Sequence, residues 1–211
     1  MRTLQKFKLG TFEVTQPELI ISDPCYAPGT WCMGIVPNAQ PGIWEAEIGF
    51  FHEGKHDAAV AYLAAFHQHC PPKNQLIARE ELFKVGVDSG QAGVFDKPFY
   101  RAGADAGQIP SEDALEAWYN SCCNQTLHTD HYAGVIPHGV VSNSGYGDGG
   151  YICYSYHLSK TQGEDITWGV MINFDVVRLP QINRLLLQYH SAGNHLNGRF
   201  PAFPFRRRYS V

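Results

Sequence analysis

The stretch that decides the fold class is Trp44-Glu45-Ala46-Glu47-Ile48-Gly49-Phe50, in which every second residue is apolar. A period of two places these apolar side chains on one face of an extended strand, so the stretch predicts a β-strand with one buried face. Three earlier segments, residues 6–14, 18–22 and 31–36, are also rich in apolar residues and are separated by stretches that contain proline. We therefore expect an antiparallel meander in the first quarter of the chain.

Two later segments, residues 57–69 and 111–123, have apolar residues at the spacing of one helical face. Asp57 and Ser111 stand at their starts, where a short polar side chain can accept a hydrogen bond from the first turn. Pro180 is well tolerated in a first helical turn and predicts a short third helix. The sequence thus predicts two helices and a weaker third.

The last strands are predicted at residues 132–141, 151–158 and 166–177, which should form a second antiparallel set. Because no long linker or composition shift divides the chain, we expect residues 1–211 to form a single globular domain. The predicted class is α+β: a β-rich, largely antiparallel sheet system with two or three packed helices. Residues 200–211 combine phenylalanine, proline and arginine, which predicts an extended C-terminal tail or, alternatively, a docking peptide for another subunit.

The composition is that of a folded chain, because 44% of the 211 residues are hydrophobic and 13% are aromatic. A formal net charge of -4 argues against nucleic acid as a partner, since phosphate binding requires clustered lysine and arginine. We found no apolar run with the length of a membrane span or a secretory leader. We therefore expect a soluble cytoplasmic protein, with no membrane partner, whose six cysteines are reduced thiols.

Three short strings break the regular patterns. They are Ile-Ser-Asp-Pro-Cys-Tyr at residues 21–26, Val-Asp-Ser-Gly-Gln-Ala-Gly-Val-Phe-Asp at 87–96, and Ser-Gly-Tyr-Gly-Asp-Gly-Gly-Tyr at 144–151. In this order they resemble an uncharacterised bacterial and phage family described as a domain of unknown function. The resemblance covers about residues 21–151. It implies kinship without an activity, so no catalytic residue follows from it.

The first string places Asp23 and Cys25 on either side of a proline. Because Asp side chains commonly bond to nearby backbone N–H groups, a strand-end Asx turn explains Asp23 most simply. The alternatives are that Asp23 is a metal ligand or an acid/base, and that Cys25 is a nucleophile paired with a histidine such as His131 or His138. The sequence leaves these alternatives open.

The second string sets Asp88, Ser89 and Gln91 among glycines at the end of a predicted strand. One interpretation is a β-bulge or corner in which backbone amides satisfy the Asp88 carboxylate. The other is a binding site, because glycines allow a ligand to approach the backbone closely. The string matches neither the phosphate-binding nor the dinucleotide-binding glycine pattern.

The third string lies between two predicted strands. Asp148-Gly149 is typical of a tight β-hairpin turn. Its four glycines exceed what a two-residue turn needs, so we also consider a loop where a ligand meets the backbone and Asp148. Tyr146 and Tyr151 would then form flat walls, although aromatic residues also pack well on an ordinary β-surface.

The sequence favours a small-ligand-binding or protein-interaction module over an enzyme, since it contains no recognised catalytic motif. The alternative is a hydrolase that uses either a carboxylate-bound divalent cation, held by Asp23, Asp88 and Asp148, or a Cys/His pair. The binding module would take a small polar molecule or another protein as its partner. The candidate ligand-binding residues are Asp23, Cys25, Tyr26, Asp88, Ser89, Gln91, Tyr146, Asp148 and Tyr151.

Overall fold

The computed structural model describes residues 2–53, 57–106, 109–158 and 165–175. The predicted helix at Pro180 and the predicted tail lie outside these residues. The strands of the described part are β1 (Arg2–Val14), β2 (Glu18–Ser22), β3 (Gly34–Pro37), β4 (Gly42–Glu53), β5 (Asp57–His67), β6 (Leu76–Val87), β7 (Gln91–Asp96), β8 (Ala133–Ile136), β9 (Gly139–Asn143), β10 (Gly149–Leu158) and β11 (Thr167–Asn173).

These strands form two antiparallel sheets. The first has the order β1-β4-β5-β11-β10-β6, and the second has the order β3-β2-β7-β9-β8. A continuous apolar core joins residues of both sheets, with Trp44 and Ile48 of β4 fully buried beside Leu19 of β2 and Val94 of β7. The period-two prediction for β4 is thereby confirmed. The predicted simple meander is wrong, because β1 pairs with β4 while β2 and β3 pair in the other sheet.

One α-helix, α1 (Glu112–His128), lies against the second sheet on the side away from the core between the sheets. The Ser111 hydroxyl accepts a hydrogen bond from the Ala114 N–H at 3.2 Å, which confirms the predicted N-cap. The other helical segments of the described part are short 3-10 turns, Lys73–Gln75 and two within Lys97–Ala106 that are separated by non-helical backbone at residues 100–103. The described part is therefore α+β in class but mostly β-strand.

The predicted helix at residues 57–69 is wrong, because Asp57–His67 is strand β5. This strand lies between β4 and β11 in the first sheet. Ala64 and Ala65 are both fully buried, on opposite faces of the sheet. A strand buried on both faces loses the period-two alternation, so its run of small and apolar residues imitates a helix.

Two other predictions fail for topological reasons. The sequence predicts one strand over residues 132–141, but Pro137-His138 divides them into the β8–β9 hairpin. The predicted second set of strands is divided between the sheets, since β10 and β11 belong to the first and β8 and β9 to the second. These strands are antiparallel to their neighbours, as expected.

Two short segments cross between the sheets at the same end of the molecule. Residues 88–90 connect β6 to β7, and residues 144–148 connect β9 to β10. The predicted tight hairpin at Asp148-Gly149 is therefore wrong, because a two-residue turn joins paired neighbours of one sheet. The glycine-rich strings are crossovers.

All six cysteines are free thiols. Among the described residues, no helix combines the length and apolar character that crossing a bilayer requires.

Substituting lysine at Ala64 or Ala65 tests the assignment of β5. Because both alanines are buried, each variant places an unpaired charge in the interior and should lower the free energy of unfolding by about 3 kcal/mol or more. On the helix predicted from the sequence, Ala65 would face away from Val60 and Ala64 and would tolerate lysine. Urea unfolding measures the difference, and an Ala65→Lys variant of wild-type stability would contradict the strand.

Candidate functional site

The three strings meet where the crossovers lie. Asp23 directly follows β2, Asp88 directly follows β6, and Ser144 directly follows β9. The backbone N–H of Ser144 donates to the carbonyl of Gly90 at 2.9 Å, which connects the third string to the second. The Asp23 carboxylate connects the first string to the second. One end of the molecule thus gathers residues that are far apart in the sequence.

The Asp23 carboxylate is fully buried and accepts four hydrogen bonds. Its Oδ1 accepts from the Cys25 N–H at 2.9 Å and from the Ser89 hydroxyl at 2.6 Å. Its Oδ2 accepts from the N–H groups of Asp88 and Ser89 at 2.9 and 2.7 Å. The bond to Cys25 is the Asx-turn contact that the sequence predicts, and the bonds to the second string make Asp23 a structural link.

Residues 23–33, here called the Trp31 loop, pack against the free edge of β6 at Gly86. The Gly86 N–H donates to the Cys32 carbonyl at 2.8 Å, which satisfies an edge group of the outermost strand. Arg101 Nη1 donates to the carbonyls of Pro24 and Cys25 at 3.1 Å each. The loop is thereby fixed by hydrogen bonds to its backbone carbonyls near both of its ends.

Two residues that fix this loop were not identified from the sequence. The Tyr100 hydroxyl is buried and lies 2.8 Å from the Tyr26 carbonyl and 3.1 Å from the Asp23 carbonyl. Arg101 has a φ of 50°, a left-handed conformation that is uncommon outside glycine. Both lie in a stretch of non-helical backbone, residues 100–103, that interrupts the segment Lys97–Ala106 after β7. Their spacing from the three strings gives no signal of this role.

The surface of the site contains a patch without side chains. Gly86 of β6 lies directly opposite Gly150 of β10, and Val87 lies opposite Gly149. We call the exposed pair Gly149 and Gly150 the glycine floor. A Cβ atom at Gly86 would lie 2.8 Å from the Cys32 Cβ, whereas a Cβ at Gly150 would meet no atom closer than 3.9 Å. Gly86 is thus required by packing, and Gly150 leaves open surface.

Exposed polar and aromatic groups surround the glycine floor. Asp88 and Asp148 are the next residues beyond the last β6–β10 pair and are both exposed. Burial, followed by a hydrogen bond to the Asp88 carboxylate, raises the pKa of the Tyr26 hydroxyl. The Tyr26 hydroxyl is therefore neutral at physiological pH and lies close to the Asp88 carboxylate.

Trp31 is the most exposed tryptophan described, at 91% of its full surface. It directly precedes Cys32, whose carbonyl accepts a hydrogen bond from the N–H of Gly86, the residue opposite Gly150. Sequence reasoning assigned Trp31 to a strand, but β3 begins only at Gly34. The turn dipeptide Pro28-Gly29 just before it is the signal that could have placed it in a loop.

The two tyrosines of the third string have different environments. Tyr146 is 55% exposed. The Tyr151 hydroxyl donates to the Gly147 carbonyl at 2.7 Å, and its ring packs edge-on against Phe174 at 5.1 Å between centroids. Tyr151 therefore supports the loop from inside, and Tyr146 is the tyrosine of this string that faces solvent.

Gln91 also belongs to the interior. Its side chain is buried and accepts a hydrogen bond from the Thr126 hydroxyl of α1 at 2.9 Å. Its amide lies 3.5 Å from the Ser89 hydroxyl. Gln91 therefore connects α1 to the second string. Of the nine candidate residues, Asp23, Ser89, Gln91 and Tyr151 have structural contacts, Cys25 and Tyr26 are half-buried, and Asp88, Tyr146 and Asp148 are exposed.

The Cys25 thiol is held in its unreactive form. Burial, then the hydrogen bond and charge of Asp23, raise the pKa of Cys25 to about 12. The histidines proposed as its partners are engaged elsewhere: His131 stacks on Phe7 at 4.1 Å and His138 on Phe99 at 3.7 Å between ring centroids. A thiolate nucleophile needs a depressed pKa, so these surroundings oppose the Cys/His interpretation.

The structure does not gather the proposed cation ligands. Within the described ranges, no group of three or more histidine, cysteine or carboxylate side chains is placed to hold a metal ion. Asp23 is the physical reason that the set of Asp23, Asp88 and Asp148 fails, because both of its oxygens already accept two hydrogen bonds from the loops.

The sequence was compared with family models, curated proteins and solved structures. No family model, curated protein or solved structure matches this sequence.

Replacing Asp23 with asparagine should lower the free energy of unfolding by about 2 to 4 kcal/mol. The amide has one acceptor oxygen, so its NH₂ group would face N–H groups that now donate to the carboxylate. Asp148→Asn is the matched control at an exposed aspartate and should change stability by less than about 0.5 kcal/mol. Urea unfolding of both variants measures this, and equal stabilities would contradict the structural role of Asp23.

Cys25 should alkylate far more slowly in the folded protein than in the unfolded chain. With its pKa raised from 9.0 to about 12, the thiolate fraction at neutral pH falls roughly a thousand-fold. Between pH 7 and pH 10 the rate in the folded protein should rise about tenfold per pH unit, because the thiolate is the reacting form. Iodoacetamide labelling with peptide mass spectrometry measures this rate. Faster labelling of Cys25 in the folded state would revive the nucleophile interpretation.

Proposed function

We propose that this chain is a recognition module that binds its partner at the surface formed by the Trp31 loop, the glycine floor and residues 144–148. The observation that carries the proposal is the convergence of the three strings on one rigid end of the molecule. Recognition residues are commonly placed on loops that a packed scaffold holds in position.

The exposed groups of this surface are suited to recognition. Trp31 and Tyr146 present exposed aromatic side chains, and the exposed Asp88 and Asp148 follow the last β6–β10 pair at one end of the sheet. Aromatic groups supply large contact area with little conformational entropy to lose, and fixed polar groups supply orientation. Because Asp23 already orders the loops, binding does not require further ordering of the backbone.

The buried chemistry of the site supports recognition rather than catalysis. Asp23 is saturated with hydrogen bonds, and the pKa of Cys25 is raised to about 12. A general base or nucleophile needs a free acceptor or a depressed pKa. These two residues therefore stabilise the site, and its contacts with a partner fall to the exposed groups.

A variant in which a side chain fills the surface at Gly150 tests this proposal. Gly150→Val fills the glycine floor, and it should leave the melting temperature equal or higher because a Cβ there is unobstructed and valine favours strands. The wild-type protein and this variant are screened by thermal shift against small polar metabolites, nucleotides, divalent cations and peptides.

We expect a stabilising compound or peptide whose effect is lost in Gly150→Val. A stabilising ligand that acts equally on the plugged variant would place binding elsewhere. If Gly150→Val without ligand melts at a lower temperature than the wild-type protein, the surface at Gly150 is not open.

A further inference from the structure

A serine and a histidine of β10 lie in contact outside the surface described above. Ser155 and His157 are two residues apart, so the strand places both side chains on one face, together with Cys153 of the core between the sheets. Both are buried, and the Ser155 Oγ lies 2.7 Å from Nε2 of His157. A hydroxyl in hydrogen-bond contact with an imidazole can pass its proton to the ring as its oxygen attacks a substrate.

A carboxylate lies beside the other nitrogen of the imidazole. Nδ1 of His157 is 3.2 Å from Oδ1 of Asp165, the second residue before β11. Arg79 of β6 holds this carboxylate, since its Nη1 donates to the two oxygens at 2.6 and 2.7 Å. A carboxylate beside Nδ1 favours the tautomer that carries its proton there, so Nε2 accepts from the Ser155 hydroxyl. The three side chains therefore have the arrangement of a nucleophile, its base and the acid that orients the base.

The face that carries Ser155 is open to solvent at the edge of the first sheet. In the β6–β10 ladder, Arg79 lies directly opposite Ser155 and Ile77 directly opposite His157, so the four side chains share one face. Strand β6 is the outermost strand of its sheet. Ile77 is 45% exposed and the Arg79 side chain 33%, whereas Ser155 is 1% exposed. A reactant would therefore approach Ser155 from the β6 edge, past Ile77 and Arg79.

We propose that Ser155, His157 and Asp165 form a second site, at which Ser155 is the nucleophile in the hydrolysis of esters with small acyl groups. This activity goes beyond the proposed recognition function and does not depend on it. The acyl group is small because Ser155 is buried behind the side chains of the β6 edge. Asp165 is a positioning residue, which acts through the imidazole.

The reaction has two steps. In the first, the Ser155 oxygen bonds to the acyl carbon and its proton passes to Nε2 of His157, which returns the proton to the leaving alcohol as the ester bond breaks. In the second, water attacks the acyl-serine and gives a proton to Nε2, which returns it to the Ser155 oxygen as the carboxylic acid leaves. Arg79 places a positive charge on the same face, which favours the oxyanion formed in each step.

The experiment treats the full chain with methanesulfonyl fluoride, a small reagent for activated serines, and locates the modified residue by peptide mass spectrometry. We expect modification of Ser155 and none of Ser142, a buried serine of β9 that serves as the control. Hydrolysis of p-nitrophenyl acetate should fall about 100-fold or more in Ser155→Ala. Ile77→Ala should raise the hydrolysis of the bulkier p-nitrophenyl hexanoate about threefold or more, because it widens the approach.

Asp165→Asn tests the positioning role. It should lower kcat for p-nitrophenyl acetate about 10- to 100-fold and change KM by less than about twofold. Glu18→Gln is the matched control, since it breaks a comparably exposed ion pair, with Lys97 at 2.8 Å, and should leave kcat within about twofold. Exposed ion pairs contribute little to stability, so both variants should keep the wild-type melting temperature.

Unmodified Ser155 in the folded protein, with hydrolysis unaffected by Ser155→Ala, would overturn the site and leave Ser155 and His157 as a structural pair. Equal modification of Ser142 would overturn it too, because the reagent would then report access without activation. If Ser155→Ala does not fold, the wild-type labelling and the comparison of Asp165→Asn with Glu18→Gln decide. None of these outcomes changes the test of the recognition surface with Gly150→Val.

Discussion

Burying a carboxylate is costly unless its oxygens are fully hydrogen-bonded, and this constraint organises the end of the molecule that carries the three strings. Asp23 meets it with four hydrogen bonds from two segments that lie more than sixty residues apart. The crossover from β6 to β7 must place the N–H groups of Asp88 and Ser89 at the end of β2. The second sheet and the edge of the first are thereby fixed relative to each other.

The side chains around Asp23 fall into two groups, those that bond to the interior and those that are exposed to solvent. Residues that bond inward, such as Asp23 and Gln91, set the positions of the loops, whereas the side chains of Asp88, Tyr146 and Asp148 are exposed. Asp88 shows both roles, because its N–H binds Asp23 while its side chain reaches the surface beside Tyr26. A recognition surface built in this way derives its rigidity from the core of the fold.

Local signals predicted the elements whose surroundings are simple. The alternation in β4 and the cap at Ser111 were read correctly, since each depends on neighbouring residues. The strand β5 was read as a helix because both of its faces are buried, which removes the alternation on which the prediction depends. Residues 144–148 were read as a hairpin because a sequence does not show which sheet the next strand joins. Trp31 was missed because its exposure depends on how the loop is anchored.

Amide hydrogen exchange at Asp88 and Ser89 tests the central claim most directly, since both N–H groups lie at the start of a loop yet donate to a buried carboxylate. If Asp23 joins the two segments, these amides should exchange nearly as slowly as those in the middle of β4, through large-scale unfolding of the protein. Exchange at the rate of an unprotected loop would show that the link opens independently of the core. The recognition surface would then not be preorganised.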